Sequence, residues 1–241
     1  MSNIILNLKN ISKSFRLASG VKKALDDVSL SIEEGSCTLI GGENGSGKSL
    51  LMSIAAGLVD CDQGKVECSV RPGLVFQEAE SQILGESPAE DVAFGPKNLG
   101  WKKDRVQQAV AQALEKTGLT DKADYPARFL SGGEKRRLAV ACMLAMELPL
   151  IILDEPYANL DYSGVKQVNE LVRKLKADGK TVIILSHELE KCLGLADHFV
   201  VLFRGKKVFD ASPAQGLKEN LEQWNIRNPL TAYKSLEELV W

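Results

Sequence analysis

The residues most able to do chemistry begin with a glycine-rich run, Gly42-Glu43-Asn44-Gly45-Ser46-Gly47-Lys48-Ser49, which has the spacing G-x-x-x-x-G-K-[ST]. A loop of this kind aims backbone N–H groups at phosphate oxygens and opens a helix whose N-terminus favours anions. Gly42, Gly45 and Gly47 let the backbone come close to a phosphate where a side chain would clash, with Asn44 and Ser46 completing the cradle. Lys48 is expected to reach the β- and γ-phosphates of ATP, and the Ser49 hydroxyl to ligate Mg²⁺. The context agrees, because residues 36–40 read as a short buried strand and residues 50–55 as a helix.

A pair of carboxylates, Asp154 and Glu155, ends a run of apolar residues after Pro149, the pattern of a parallel strand buried on both faces. Adjacent side chains on a strand point in opposite directions, which permits two roles. Asp154 would hold the Mg²⁺ shell and Glu155 would polarise an attacking water as general base.

A further run, Leu130-Ser131-Gly132-Gly133-Glu134, starts a helix by local chemistry: Ser131 and Glu134 stand at the spacing of a capping box, and Leu138, Ala141, Cys142 and Ala145 recur at helical spacing. Two glycines in the first turn are what a cap does not explain, since each costs about 0.5–1 kcal/mol in a helix relative to alanine. Their bare N–H groups make a second anion site. Two phosphate-binding helix starts beside one Lys48 suggest that both serve the same nucleotide from opposite sides, most simply in a dimer.

Taken together, residues 7–212 resemble the nucleotide-binding subunits of ATP-binding cassette transporters. In that family the P-loop of one subunit and the Leu-Ser-Gly-Gly segment of the other sandwich each ATP, so Ser131, Gly132, Gly133 and Glu134 are implied to contact the nucleotide across the dimer. The resemblance also implies that Gln77 meets Mg²⁺ and water and senses the membrane partner, and that Asn159 and Asp161, in Ala158-Asn159-Leu160-Asp161, belong to a loop crossing the dimer interface. His187, following an apolar strand, matches the histidine that contacts the γ-phosphate and orients Glu155. Phe15 is the candidate to stack on adenine, a contact worth about 1–3 kcal/mol. Glu43, Leu50, Glu134 and Ser186 depart from the commonest family spellings, and none removes a group that the chemistry needs.

Residues 76–84 and 91–100 are similar to the corresponding stretch of the ATPases of energy-coupling factor transporters, although Glu78-Ala79 stands where Asn-Pro is usual. Such importers take up vitamins or transition-metal ions through a small membrane substrate-binding protein and a transmembrane coupling protein. The partners implied are those two proteins and a second cassette, in a homodimer or in a heterodimer with a sister chain. The competing reading is a soluble cassette ATPase in assembly or regulation, without a membrane partner.

Positioning these groups requires one α/β domain, for which 241 residues with 44% hydrophobic and 26% charged side chains suffice. The expected fold is a P-loop NTPase with a mainly parallel core sheet, an N-terminal antiparallel β subdomain and an inserted α-helical subdomain at about 78–145. A short C-terminal extension, about 212–241, is expected to be helical in pieces. Ile4, Leu6 and Leu8, then Val28, Leu30 and Ile32, alternate with polar residues as antiparallel strands with one wet face do. Residues 104–116 place Val106, Val110, Ala113 and Leu114 on one helix face, residues 165–176 form a further helix, and Arg204-Gly205 reads as a hairpin turn.

A net charge of −2 offers no basic surface for nucleic acid. No stretch approaches 18 uninterrupted apolar residues, and the N-terminus lacks an export pattern. The chain is therefore expected at the cytoplasmic face of the membrane as a peripheral subunit. Cys37, Cys61, Cys68, Cys142 and Cys192 show no C-x-x-C pair and read as buried free thiols.

Overall fold

The computed structural model describes residues 3–18 and 20–231. Among them the strands are β1 (Ile4–Leu17), β2 (Gly20–Glu33), β3 (Cys37–Gly41), β4 (Gln63–Cys68), β5 (Pro72–Val75), β6 (Leu150–Asp154), β7 (Thr181–Ser186), β8 (His198–Phe203) and β9 (Lys206–Ala211). The longer helices are α1 (Lys48–Ala55), α2 (Pro88–Asn98), α3 (Lys103–Thr117), α4 (Gly132–Ala145) and α5 (Tyr162–Ala177).

Six strands form the central sheet in the order β5-β6-β7-β3-β8-β9, parallel except for the last. The sequence of β6 explains its central place, because all five residues are buried and alternate between two cores. Ile151 and Leu153 pack with Val168, Leu171, Val172 and Leu175 of α5. Leu150 and Ile152 pack on the other face with Leu51 and Met52 of α1 and with the inward residues of β1 and β2. Burying one such aliphatic side chain contributes about 1.5–3 kcal/mol.

The strands β2-β1-β4 make a separate antiparallel sheet. Its alternation departs from the expected register at one point. A bulge between Ile4 and Leu6 turns Ile4 outward and puts Ile5 in the core beside Leu6 and Leu8.

Helices α2, α3 and α4 gather around a third core that includes Val92, Ala113, Leu114, Leu138 and Ala141. On α3 the buried residues include Val106, Ala113 and Leu114, with Val110 half-buried. Helix α5 begins at Tyr162, three residues before its apolar pattern, because the Asp161 carboxylate accepts from Gly164 N at 2.7 Å and caps it. Arg204 (φ 49°) and Gly205 (φ 78°) form the tight turn from β8 to β9, both left-handed as a two-residue hairpin of this twist needs.

Beyond β9, a Ser212-capped turn of helix at Pro213–Gly216 and a 3₁₀ turn at Leu221–Trp224 continue the chain. The expectation for residues 232–241 lies outside the described residues. All five cysteines are free; Cys37 and Cys192 are buried, whereas Cys61, Cys68 and Cys142 are only half-buried, against the expectation for the set.

Phe199 of β8 fastens the C-terminal segment to the sheet. Its fully buried ring fills the space beside Gly41 and Gly216, where an added Cβ would meet ring carbons at 3.0 and 2.4 Å, and it tilts against Phe209 at 5.6 Å. Phe199→Ala is expected to destabilise the chain by about 3–5 kcal/mol, read from the midpoint of urea unfolding.

Candidate functional site

Four adjacent parallel strands deliver the site from one edge. In the order β5, β6, β7, β3, their carboxyl ends lead to Gln77, to Asp154 and Glu155, to His187, and to the P-loop. Open parallel sheets bind ligands in the crevice outside such strand ends.

The loop itself shows why its glycines are glycines. Gly42 takes φ 148°, and a Cβ there would lie 2.2 Å from Leu202 O and 2.7 Å from Ser46 Oγ. Gly47 takes φ 107° directly before α1, against Leu25 Cδ2 at 2.8 Å. Within this turn Ser46 is buried and its hydroxyl lacks a hydrogen-bond partner among the described residues.

Lys48 is 5% exposed, and its ammonium donates to Gly42 O at 2.7 Å and Glu43 O at 3.2 Å. It also lies 3.5 Å from Glu155 Oε1. Burial lowers its pKa, opposed by the Glu155 carboxylate.

Glu155 is buried and sits at φ 44°, left-handed for a residue with a full side chain, while its N–H donates to Leu185 O of β7 at 2.9 Å. Such a backbone costs about 1–3 kcal/mol and persists where surrounding structure over-determines it. His187 Nδ1 lies 3.1 Å from the same Oε1 that faces Lys48, and the imidazole is about half exposed. Neither Glu155 oxygen makes a well-aligned hydrogen bond among the described residues, so both remain available to a proton donor.

Asp154 is buried, with Oδ1 unpartnered among the described residues. Burial raises its pKa, while the Ser49 hydroxyl against the same carboxylate opposes the rise. A buried carboxylate oxygen without a donor, next to an exposed hydroxyl, is a donor set that fits a hard divalent cation such as Mg²⁺. Gln77 is exposed and lines the same cleft, its own carbonyl accepting from Arg136 at 3.4 Å.

The cleft has a volume of about 570 Å³ and is bounded by the P-loop, Gln77 and Glu155. Lys22, Lys23 and Arg204 also line it, and sequence reasoning missed all three. No motif spacing marks them, because a hairpin turn and a strand partner bring them to the loop only in three dimensions. Phe15 is 41% exposed and pairs across β1 and β2 with Lys22, at the margin of the cleft and not on its wall.

The Ser131 helix start lies elsewhere. Ser131 N donates to Glu134 Oε2 at 2.8 Å, and Glu134 N donates back to Ser131 Oγ at 3.3 Å. Burial works against ionisation of Glu134, but the Lys122 ammonium and the Ser131 N–H outweigh it and hold its pKa down to about 2. None of residues 131–134 lines the P-loop cleft, nor do Asn159, left-handed at φ 58°, and Asp161. Nothing among the described residues requires glycine at 132, since a Cβ there would meet no atom of theirs within 4 Å, and at 133 it would make only ordinary contact, 3.7 Å from Leu160 Cδ2.

Comparison with known proteins agrees with this geometry. The family model described as ABC transporter matches residues 25–158. The chain is similar to the energy-coupling factor transporter ATP-binding protein EcfA2 of Thermotoga maritima, 40% identical over 227 residues, covering 89% of this chain and 85% of that one. It is 34% identical over 250 residues to the protein of the same name from Methanospirillum hungatei, covering 97% of this chain but spanning 62% of the relative's length. Among solved structures, cbiO1 of Clostridium perfringens, part of the ABC transporter complex cbiONQ, superposes with a TM-score of 0.81 at 29% identity, covering 94% of this chain and 96% of that one. With the phosphate loop, the paired carboxylates and the glycine-started helix on a sheet of this order, and a family match over more than half its length, the chain belongs to the ABC transporter family of ATP-binding cassettes.

Proposed function

We propose that the chain is the ATP-hydrolysing subunit of a membrane importer of the energy-coupling factor type, driven by closure of two cassettes on two ATP molecules. Carrying this reading is the Glu155 carboxylate, buried at a strand end between Lys48 at 3.5 Å and His187 at 3.1 Å, on the wall of the phosphate-loop cleft. A carboxylate so placed takes the proton of a water aligned on the γ-phosphate, and His187 orients it and reaches the same phosphate. Backbone N–H groups of residues 45–49 and the Lys48 ammonium bind the β- and γ-phosphates. Ser49, Asp154 and Gln77 would hold Mg²⁺, which when bound neutralises phosphate charge.

The position of the signature residues supports a second cassette, identical or a sister chain. Ser131, Gly132, Gly133 and Glu134 stand outside the cleft of their own chain, with glycines its own packing does not use. They are free to close on the nucleotide of a partner, with Asn159 and Asp161 crossing the interface and Phe15 stacking on adenine.

Support for a membrane partner comes from exposed apolar side chains beside the Gln77 loop. Phe94 is 50% exposed, Leu99 46% and Leu84 67%, although Val92 on the same stretch is fully buried. Together with Met143 and Met146 they line a groove of about 300 Å³. Covering the helical core explains Val92 alone; a segment of a transmembrane coupling protein, working with a small membrane substrate-binding protein, explains the rest. No helix among the described residues is long and apolar enough to cross a membrane, as a peripheral subunit on its cytoplasmic side requires. None of the relatives named above points to the soluble alternative.

Glu155→Gln is expected to leave ATP binding intact and to slow hydrolysis at least about a hundredfold, measured as phosphate release by the assembled complex. Lys48→Ala should weaken ATP binding itself. Unchanged turnover in the first variant would remove Glu155 as the base.

Gly132→Ala separates the two possible uses of the signature glycines. Stability in urea should not fall and should rise by up to about 1 kcal/mol, while hydrolysis falls at least about tenfold for want of a close approach by the partner's nucleotide. Hydrolysis at the parental rate would show that the helix start does not face a nucleotide.

A further inference from the structure

Glu43 lies in the phosphate loop, and the chemistry above gives its side chain no task. It lines the cleft, and a carboxylate there opposes the entry of triphosphate. Its backbone is already committed, since its carbonyl accepts from Lys48 Nζ at 3.2 Å. Its carboxylate accepts a 2.7 Å hydrogen bond from Asn225 Nδ2, a residue 182 positions further along the chain.

Asn225 is held for that contact. It closes the 3₁₀ turn Leu221–Trp224 in a left-handed conformation, φ 56°, which asparagine tolerates better than most residues. Its flanks are anchored: Leu221 and Ile226 are buried in the α5-side core, and the Trp224 ring lies 6.1 Å from Phe209, itself tilted against Phe199. Phe199 in turn abuts Gly41, the residue immediately before the phosphate loop. The C-terminal segment therefore grips the base of the loop through an aromatic row and its rim through one side chain.

We propose that Asn225 is a positioning residue for nucleotide binding: by donating to Glu43 it draws that carboxylate to the C-terminal segment and away from the incoming phosphates, so the seating of the segment sets ATP affinity. This rests on the reading of the phosphate-loop cleft as the ATP site. The effect is electrostatic, and so depends on the charge at position 43; a merely structural role for Asn225 would not.

The test is calorimetric titration of the full chain with MgATP, with Tm measured in parallel. Asn225→Gly removes the donor while accepting the left-handed backbone, and should raise Kd about three- to tenfold without lowering Tm. Asn225→Asp faces Glu43 with a second carboxylate and should raise Kd further, more so at low salt. In a Glu43→Gln background, Asn225→Gly should have no effect, and Asn225→Asp should bind as the parent does, because the amide introduced at position 43 then donates to the aspartate. Equal affinity of parent and Asn225→Gly, the same loss in both backgrounds, or a lower Tm with unchanged Kd overturns the proposal. A parent chain that fails to bind MgATP defeats the ATP reading itself and this inference with it.

Discussion

The structure depends on a buried cation. Lys48 lies within the chain, 5% exposed, and its ammonium draws together the Gly42 and Glu43 carbonyls of the phosphate loop and the Glu155 carboxylate at the end of β6. Burying an ammonium costs several kcal/mol unless it is paired and hydrogen-bonded, so the loop must keep its tight path and β6 must end where it does. The left-handed turn at Glu155 and the positive φ values of Gly42 and Gly47 belong to that path. Polar groups left over at this point, Ser46 Oγ, Asp154 Oδ1 and both Glu155 oxygens, mark where the protein's own hydrogen bonding stops and a ligand's can begin.

Three cores divide the labour around this point. One lies between the sheet and α5, one between the sheet, α1 and the antiparallel strands, and one within α2, α3 and α4. The first two fix the strand ends that carry the phosphate loop, the carboxylates and His187. The third carries the Ser131 helix start and the exposed apolar groove, and it packs largely within itself. The Ser131 helix start and the apolar groove therefore move with one packing unit, while the groups proposed to do the hydrolysis are held by the other two.

Much of this was legible in the sequence because the relevant signals are local. A phosphate loop needs its glycines in order, a doubly buried strand needs an unbroken apolar run, and a capping box needs serine and glutamate three apart; Gly42 to Ser49, Leu150 to Asp154, and Ser131 with Glu134 each meet one of those needs within a few residues. The β8–β9 turn was readable for the same reason. What escaped depended on register or on distance along the chain. The bulge that turns Ile4 out and Ile5 in leaves no mark in a composition of three successive apolar residues. Lys22, Lys23 and Arg204 reach the cleft from a strand and a turn that carry no motif, and the pairing of Glu43 with Asn225 spans nearly the whole chain. Phe94 and Leu99 lie at the surface while Val92 and Ala93 of the same stretch are buried, a division that residue type alone does not announce.

The left-handed backbone of Glu155 also bears on how the protein can change. Glycine or asparagine would relax φ 44° at that position, but either would leave the buried Lys48 ammonium without its carboxylate. Stability therefore pulls both ways at this one residue, the backbone towards glycine and the buried cation towards a carboxylate. A search for thermostable variants of this chain will therefore find little at position 155, since each change that eases the backbone uncovers a buried charge.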